Sequence, residues 1–192
     1  IRDRAQGARP CHEENILPGV VIAGQTATRV YMRRLLIAAF AANLILILIS
    51  LLVLPDQVAI HFRSGGEPDA WASKWTNAVI FLLIQMPLFA LFISVGRLTL
   101  NMPAKWLSLP NKDYWLKPGN RAELEARFGA LMEEFGFVLF VFLFVVGLLA
   151  LAANLGEPVR LNEPVFLLCF VAFMLYVPFW LVKLFRRLKV GR

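Results

Sequence analysis

Residues 35–54 read LLIAAFAANLILILISLLVL, twenty positions without a charged side chain. At about 1.5 Å per residue a helix of that length spans about 30 Å, the thickness of a bilayer's hydrocarbon core. A surface helix of a water-soluble protein would show a polar face within such a stretch, and this one shows none. Three more stretches follow, at about Asn77–Gly96, Phe135–Ala153 and Pro164–Leu184, and Lys183 is the one charge in the four. The chain is therefore read as an all-α integral membrane protein, a four-transmembrane-helix bundle.

Composition agrees. With 192 residues, 59% of them hydrophobic, there is room for one membrane bundle and no separate soluble domain of ordinary size. The net charge of +7 would elsewhere suggest nucleic acid, but here its placement explains it. Six cations precede the first span (Arg2, Arg4, Arg9, Arg29, Arg33 and Arg34). Six more lie in the central connection (Arg97, Lys105, Lys112, Lys117, Arg121 and Arg127), and five in the tail (Lys183, Arg186, Arg187, Lys189 and Arg192). The loop at 55–76 holds only Arg63 and Lys74, and that at 154–163 only Arg160. Lys and Arg accumulate on the cytoplasmic side, where anionic headgroups also attract them. Both termini and the central connection are expected inside, with 55–76 and 154–163 outside. The lipid bilayer is the expected partner, and nucleic acid is not.

Residues 1–31 are polar and show no convincing period. They are expected to form a cytoplasmic tail, disordered or a non-native extension ahead of Met32, that contributes little to the fold. Residues 32–192 would then be the membrane domain. The first span is too long for a signal-peptide core and lacks a small-residue cleavage site, so it should remain as an anchor. Cys11 and Cys169 are separated by this topology, and no Cys-x-x-Cys pair suggests a metal.

Proline and glycine punctuate the rest. Leu54-Pro55 ends the first span. Val58–Phe62 suggests one short strand before a Gly65-Gly66 turn, and Trp71 and Trp75 are expected one helical turn apart as interfacial anchors. Pro87 and Pro178 fall inside spans, where kinks are tolerated. Met102–Gly119 carries three prolines and is expected to be irregular. Asn120 with Glu123 resembles a capping box. Leu124, Phe128, Leu131 and Phe135 then recur at helical spacing, with Glu123 and Arg127 paired, in a helix expected to run unbroken to Asn154 and Gly156.

The loop at 55–76 is the densest group of polar and turn residues. Leu54-Pro55-Asp56, then His61-Phe62, then Gly66-Glu67-Pro68-Asp69 and Ser73-Lys74 resemble a domain of unknown function in bacterial membrane proteins. That domain accompanies the immunity protein of a sporulation-delaying toxin. The resemblance covers about residues 45–90, and Asn111-Lys112-Asp113-Tyr114-Trp115-Leu116 resembles motifs in Gram-negative members of the group. It implies a bacterial cytoplasmic (inner) membrane location and a non-enzymatic immunity or sensing role. Asp56, His61, Glu67, Pro68, Asp69 and Lys74 would then contact an extracytoplasmic peptide or small ligand.

Read from their chemistry alone, these residues have a plainer role. Asp56 and Asp69 cap turns or helix ends, Gly65-Gly66 turns the chain, and His61 hydrogen-bonds within a small cap over the helices. One histidine without regular ligand spacing is a weak metal signal, so neither metal nor cofactor is expected. No nucleophile–base pair is visible for an enzyme built on His61. Asn43 and Gln85 fall near mid-membrane on antiparallel spans, where they suggest an interhelical hydrogen bond of about 0.6 kcal/mol or somewhat more. A polar substrate path is the alternative, weakened by the lack of ionisable residues in the spans. Phe135, Phe137, Phe140, Phe142 and Phe144 read as packing and lipid-facing residues. Asn111, Lys112, Asp113, Tyr114 and Trp115 are either an interfacial anchor or a docking site for a cytoplasmic partner. A small transporter or channel subunit, acting as a homo-oligomer, is the second functional reading.

In a background without Cys11 and Cys169, cysteine at Glu157 should react with an impermeant thiol reagent outside intact cells. Cysteine at Asn120 should not, and its labelling from outside would overturn the orientation.

Overall fold

The computed structural model describes residues 18–103, 105 and 110–189. Cys11, His12, Trp106, Arg192 and the charges Arg2, Arg4 and Arg9 lie outside the described residues, as does the tail up to residue 17. Four helices are long and apolar enough to cross a membrane, and the chain is a multi-pass membrane protein. Helix α1 spans Pro18–Val53 and is followed by strands β1 (Gln57–Phe62) and β2 (Pro68–Ser73). Helix α2 spans Lys74–Asn101, and α3 is a single turn at Lys112–Trp115. Helices α4 (Arg121–Leu155) and α5 (Glu163–Leu188) complete the chain.

Helix α4 is the centre of the packing. It runs against α1, α2 and α5, while α5 packs chiefly along α4. The arrangement is thus a three-helix core with α5 on its flank rather than an even four-helix bundle. Leu36, Phe40, Phe92 and Phe140 form that core. Phe40 stacks on Phe89 at 4.1 Å and meets the edge of Phe140 at 5.4 Å. Small residues let the backbones approach, as membrane helix interfaces require. A Cβ at Gly136 would stand 2.8 Å from Phe92 Cγ, and one at Gly147 would stand 2.8 Å from a Leu46 methyl. On the flank, Trp180 Nε1 donates to Leu131 O at 3.1 Å, and Phe135 packs 4.6 Å from the Trp180 ring. The phenylalanines of α4 therefore divide between the core and the α5 seam.

At the end away from the strands, Trp115 is buried against Leu124 and Leu188 and donates to Leu188 O at 2.9 Å. The Arg127 guanidinium lies 5.6 Å over its ring and also pairs with Glu123 at 2.5 Å. Asn120 stands before α4, but its side chain makes no cap bond there; its Nδ2 donates to Tyr114 O at 2.8 Å instead. The 3-10 turn Pro118–Asn120 puts that amide within reach of the α3 backbone.

Residues 18–31 differ from the expected tail. They are helical and continuous with the first span, and Arg29 reaches deep into the packing. Its Nη1 is 3.2 Å from Glu125 Oε1 and its Nε is 3.6 Å from Glu133 Oε1. Glu133 is 1% exposed, and neither carboxylate oxygen has a hydrogen bond among the described residues. Two glycines admit the guanidinium: a Cβ on Gly96 or Gly129 would come within 3.0 Å of it. The partners lie about a hundred residues apart in the chain, beyond what a local period can reveal.

Breaking that pair should be severe. Arg29→Met strands a buried carboxylate and should cost about 3–5 kcal/mol, whereas Arg29→Met with Glu133→Met should recover most of the loss. Thermal unfolding of the purified variants in lipid nanodiscs checks it.

Candidate functional site

Three polar residues of the chain organise the end of the bundle that carries the strands. The first is Ser73, whose hydroxyl accepts from Thr76 N at 3.0 Å, so that α2 begins directly where β2 stops. The second is Lys74. Its backbone N donates to Asp56 O at 3.0 Å, and its Nζ reaches Leu54 O at 3.3 Å and Asp56 Oδ1 at 3.2 Å. These bonds bring the end of α1 level with the start of α2.

The third is Asn154, in the last turn of α4. Its Oδ1 accepts from Ala59 N at 2.7 Å, and its Nδ2 donates to Ala59 O at 3.1 Å and to Ala150 O at 3.0 Å. One amide side chain thus satisfies both backbone groups of a β1 residue, as a neighbouring strand would. Residue 154 is read from sequence as the end of a helix, and nothing local to it signals the clamp.

The expected single strand has a partner. β1 and β2 pair antiparallel, with Gln57 opposite Ser73 and Ala59 opposite Trp71. The register shifts between Ala59 and His61, which sets Ile60 out as an extra residue in a bulge. Trp71 consequently lies on a strand and Trp75 on α2, rather than one helical turn apart; both are exposed. The turn places Gly65 at φ 89° and Gly66 at φ 76°, a region that favours glycine. Gly66 also touches the connection before α5: its O accepts from Leu161 N at 2.8 Å, and a Cβ there would stand 2.2 Å from Leu161 O. Gly65 N donates to Glu163 Oε2 at 2.7 Å, and Arg160 Nε donates to Gly65 O at 2.9 Å. The hairpin is held at its base by Asn154 and at its tip by 160–163.

Beneath it lies a cavity of about 410 Å³, within the range of small-molecule sites. Ala59–Phe62 form its roof, with His61 and Lys74 at that end, and Leu46, Ile47, Ser50, Phe81, Leu143, Val146 and Gly147 are among its walls. Asn43 and Gln85 line its far end. Asn43 stands eleven positions before Leu54, and Gln85 eleven positions after Lys74. Both amides therefore sit about 16 Å below the hairpin.

These amides do not bond to one another as expected. Asn43 Nδ2 donates to Ala39 O and to Phe140 O, both at 2.9 Å. Gln85 is 1% exposed, and its Oε1 has no hydrogen-bond partner among the described residues. Asn43 bonds to the α4 backbone instead.

The other sequence candidates scatter. His61 Nδ1 lies 2.6 Å from Asp69 Oδ1 with both side chains exposed, and the Asp56 carboxylate is 95% exposed. Arg63 binds Glu67, and its hydrogen bond and charge hold that carboxyl below the usual carboxylate range. Pro68 opens β2 opposite Phe62. Of the six loop candidates only His61 and Lys74 line the cavity. Asp69 pairs with His61 instead of capping α2, which Ser73 does. Among Asn111, Lys112, Asp113, Tyr114 and Trp115, the tryptophan is consumed by internal packing, and Tyr114 meets its ring edge-on at 5.0 Å. Asn111 adopts the left-handed conformation at φ 56°. Among the described residues, no three His, Cys, Asp or Glu side chains converge as metal ligands would.

The fold and cavity define a multi-pass membrane protein with a small hairpin closing one end of its helices. Residues 38–86 match the family model described as a domain of unknown function, DUF1648. The matched segment runs from α1 through the hairpin to mid-α2 and contains both Asn43 and Gln85. No curated protein matches the chain, and no solved structure does.

Asn154→Ala should leave both backbone groups of Ala59 unpaired and lower stability by about 2–4 kcal/mol. Hydrogen exchange at the Ala59 amide should accelerate well beyond that at Phe40, which separates loosening of the hairpin from global unfolding.

Proposed function

We propose that this protein is a non-enzymatic binding protein of the bacterial cytoplasmic membrane, of immunity or sensing type, that admits a small molecule or peptide beneath its extracytoplasmic hairpin. The observation that carries this reading is the cavity itself: apolar walls, two amides at its floor, and a roof pinned independently at base and tip. Pockets of this kind, mostly apolar with a few convergent polar groups, are where ligands bind. The charge distribution supports the orientation. Seventeen of the 20 Lys and Arg fall in segments away from the hairpin loop and the 154–163 connection, so the hairpin faces outward with both termini inside. The resemblance to a domain that accompanies a toxin-immunity protein supports the immunity or sensing role.

A second reading, a small transporter acting as a homo-oligomer, gains one observation. Glu133 is a carboxylate buried among packed helices, and such residues mark ion and proton paths in membrane proteins. One experiment separates the two. In a background without Cys11 and Cys169, cysteine at Ser50 on the cavity wall should react with a small impermeant thiol reagent applied outside. Cysteine at the exposed Leu48 should remain protected by lipid. Reaction at position 50 from both sides of inverted and intact vesicles would favour transport, and reaction from neither side would remove the cavity as an outward-facing site.

A further inference from the structure

The polar groups around the cavity are distributed unevenly, and this selects among ligands. Lys74 and His61, the titratable groups of its lining, both belong to the hairpin end. The walls between are mostly aliphatic and aromatic; Asn77 lies one turn from Lys74 near the hairpin, and Ser50 spends its hydroxyl proton on Leu46 O at 2.8 Å. At the floor, Asn43 spends its amide donors on Ala39 O and Phe140 O, leaving Gln85 Oε1 as a buried acceptor with no partner. An acceptor in that state, in surroundings of low dielectric, is costly until a donor reaches it.

We infer that the cavity takes a slender amphiphile, inner end first, whose uncharged terminal hydrogen-bond donor meets Gln85 Oε1. The inference rests on the binding reading above and adds the chemical class of the ligand. A charged inner end is excluded by physics: no counter-ion lines the floor, and an unpaired charge at that depth costs far more than one hydrogen bond returns. An ordinary leaflet lipid fits poorly as well. With its headgroup at the membrane surface, it would present a terminal methyl about 16 Å down, where the structure presents an acceptor. The ligand thus has polarity reversed relative to the leaflet, with an apolar body spanning about ten to twelve bonds between the hairpin and Gln85. A primary alcohol or a terminal amide N–H satisfies this description.

The test uses a ten-carbon primary alcohol carrying a mid-chain diazirine, beside the matching alkane, on the full chain in lipid nanodiscs. Photolabelled peptides are mapped by mass spectrometry. The alcohol should label the walls at Leu46, Ile47, Leu143 and Val146 at a concentration roughly five- to tenfold lower than the alkane requires. Unlabelled 1-decanol should compete. Gln85→Leu should erase the advantage of the alcohol while leaving alkane labelling unchanged. The comparison of the two probes on wild type stands even if that variant folds poorly. Filling the cavity with Ser50→Phe should abolish wall labelling by both. Equal labelling of wild type by alcohol and alkane, lost in Ser50→Phe, would overturn the donor specificity while preserving the cavity as a binding site. Labelling confined to lipid-facing Leu48 and Leu83 would overturn both.

Discussion

Backbone amides at the mouth of a membrane bundle must find partners before they meet hydrocarbon, and here the hardest case is Ala59. Its N–H and C=O point toward the helices from the inner side of the hairpin, where pairing with β2 cannot serve them. Asn154 takes both with a single amide. That contact fixes the depth at which β1 lies across the bundle. It also ties the 55–76 loop to α4, the helix against which all the other long helices pack. The tip contacts of Gly65 and Gly66 with 160–163 then close the second side. The cavity exists because the roof is held from both ends at a fixed height above two floor amides, Asn43 on α1 and Gln85 on α2, with α4 supplying one of the walls between.

The interior applies the same rule with different outcomes. Apolar surroundings leave polar groups no water to fall back on. Asn43 is satisfied through the carbonyls of Ala39 and Phe140, the second borrowed from α4. Glu133 has no hydrogen bond among the described residues, and its partner is an arginine that passes between two glycines to bring its Nε within 3.6 Å. Gln85 Oε1 is the one of these three groups left unpaired at a cavity. Structural polar residues in membranes find partners within the protein. A buried acceptor without one, on a residue that lines a cavity, is the feature from which the ligand proposal starts.

Helix α5 shows how hydrophobic length and packing role come apart. By composition it is as good a membrane helix as the others. Its contacts, however, are concentrated on one seam of α4, where Trp180 and Tyr176 meet Phe135, and much of the remainder is exposed, including Leu168, Leu175 and Phe179. Lys183, which interrupts the apolar run near its end, pairs with Glu134 across that seam. The charge marks the helix's contact with α4 as much as its boundary.

What the sequence determines by itself is what depends on local content. Twenty uncharged apolar residues can only be helical in a bilayer, so the four spans, the unbroken run of α4 and the Glu123–Arg127 pair were all legible, as was the Gly65-Gly66 turn. The positions of Asn43 and Gln85, equidistant from Leu54 and Lys74, were also legible, but not their partners. Contacts between distant segments belong to the tertiary structure alone. Residues 18–31 carry no apolar period, and the partners of Arg29 are carboxylates about a hundred residues away, beyond the reach of any local pattern. β2 has too little alternation to be seen without β1 beside it. Asn154 reads as a helix end until the fold lays Ala59 across it. Trp115 reads as an exposed anchor until Leu124 and Leu188 enclose it. A side chain's type limits which bonds it can make, whereas its partner is set by which helix happens to lie opposite, and in this chain that helix is nearly always α4.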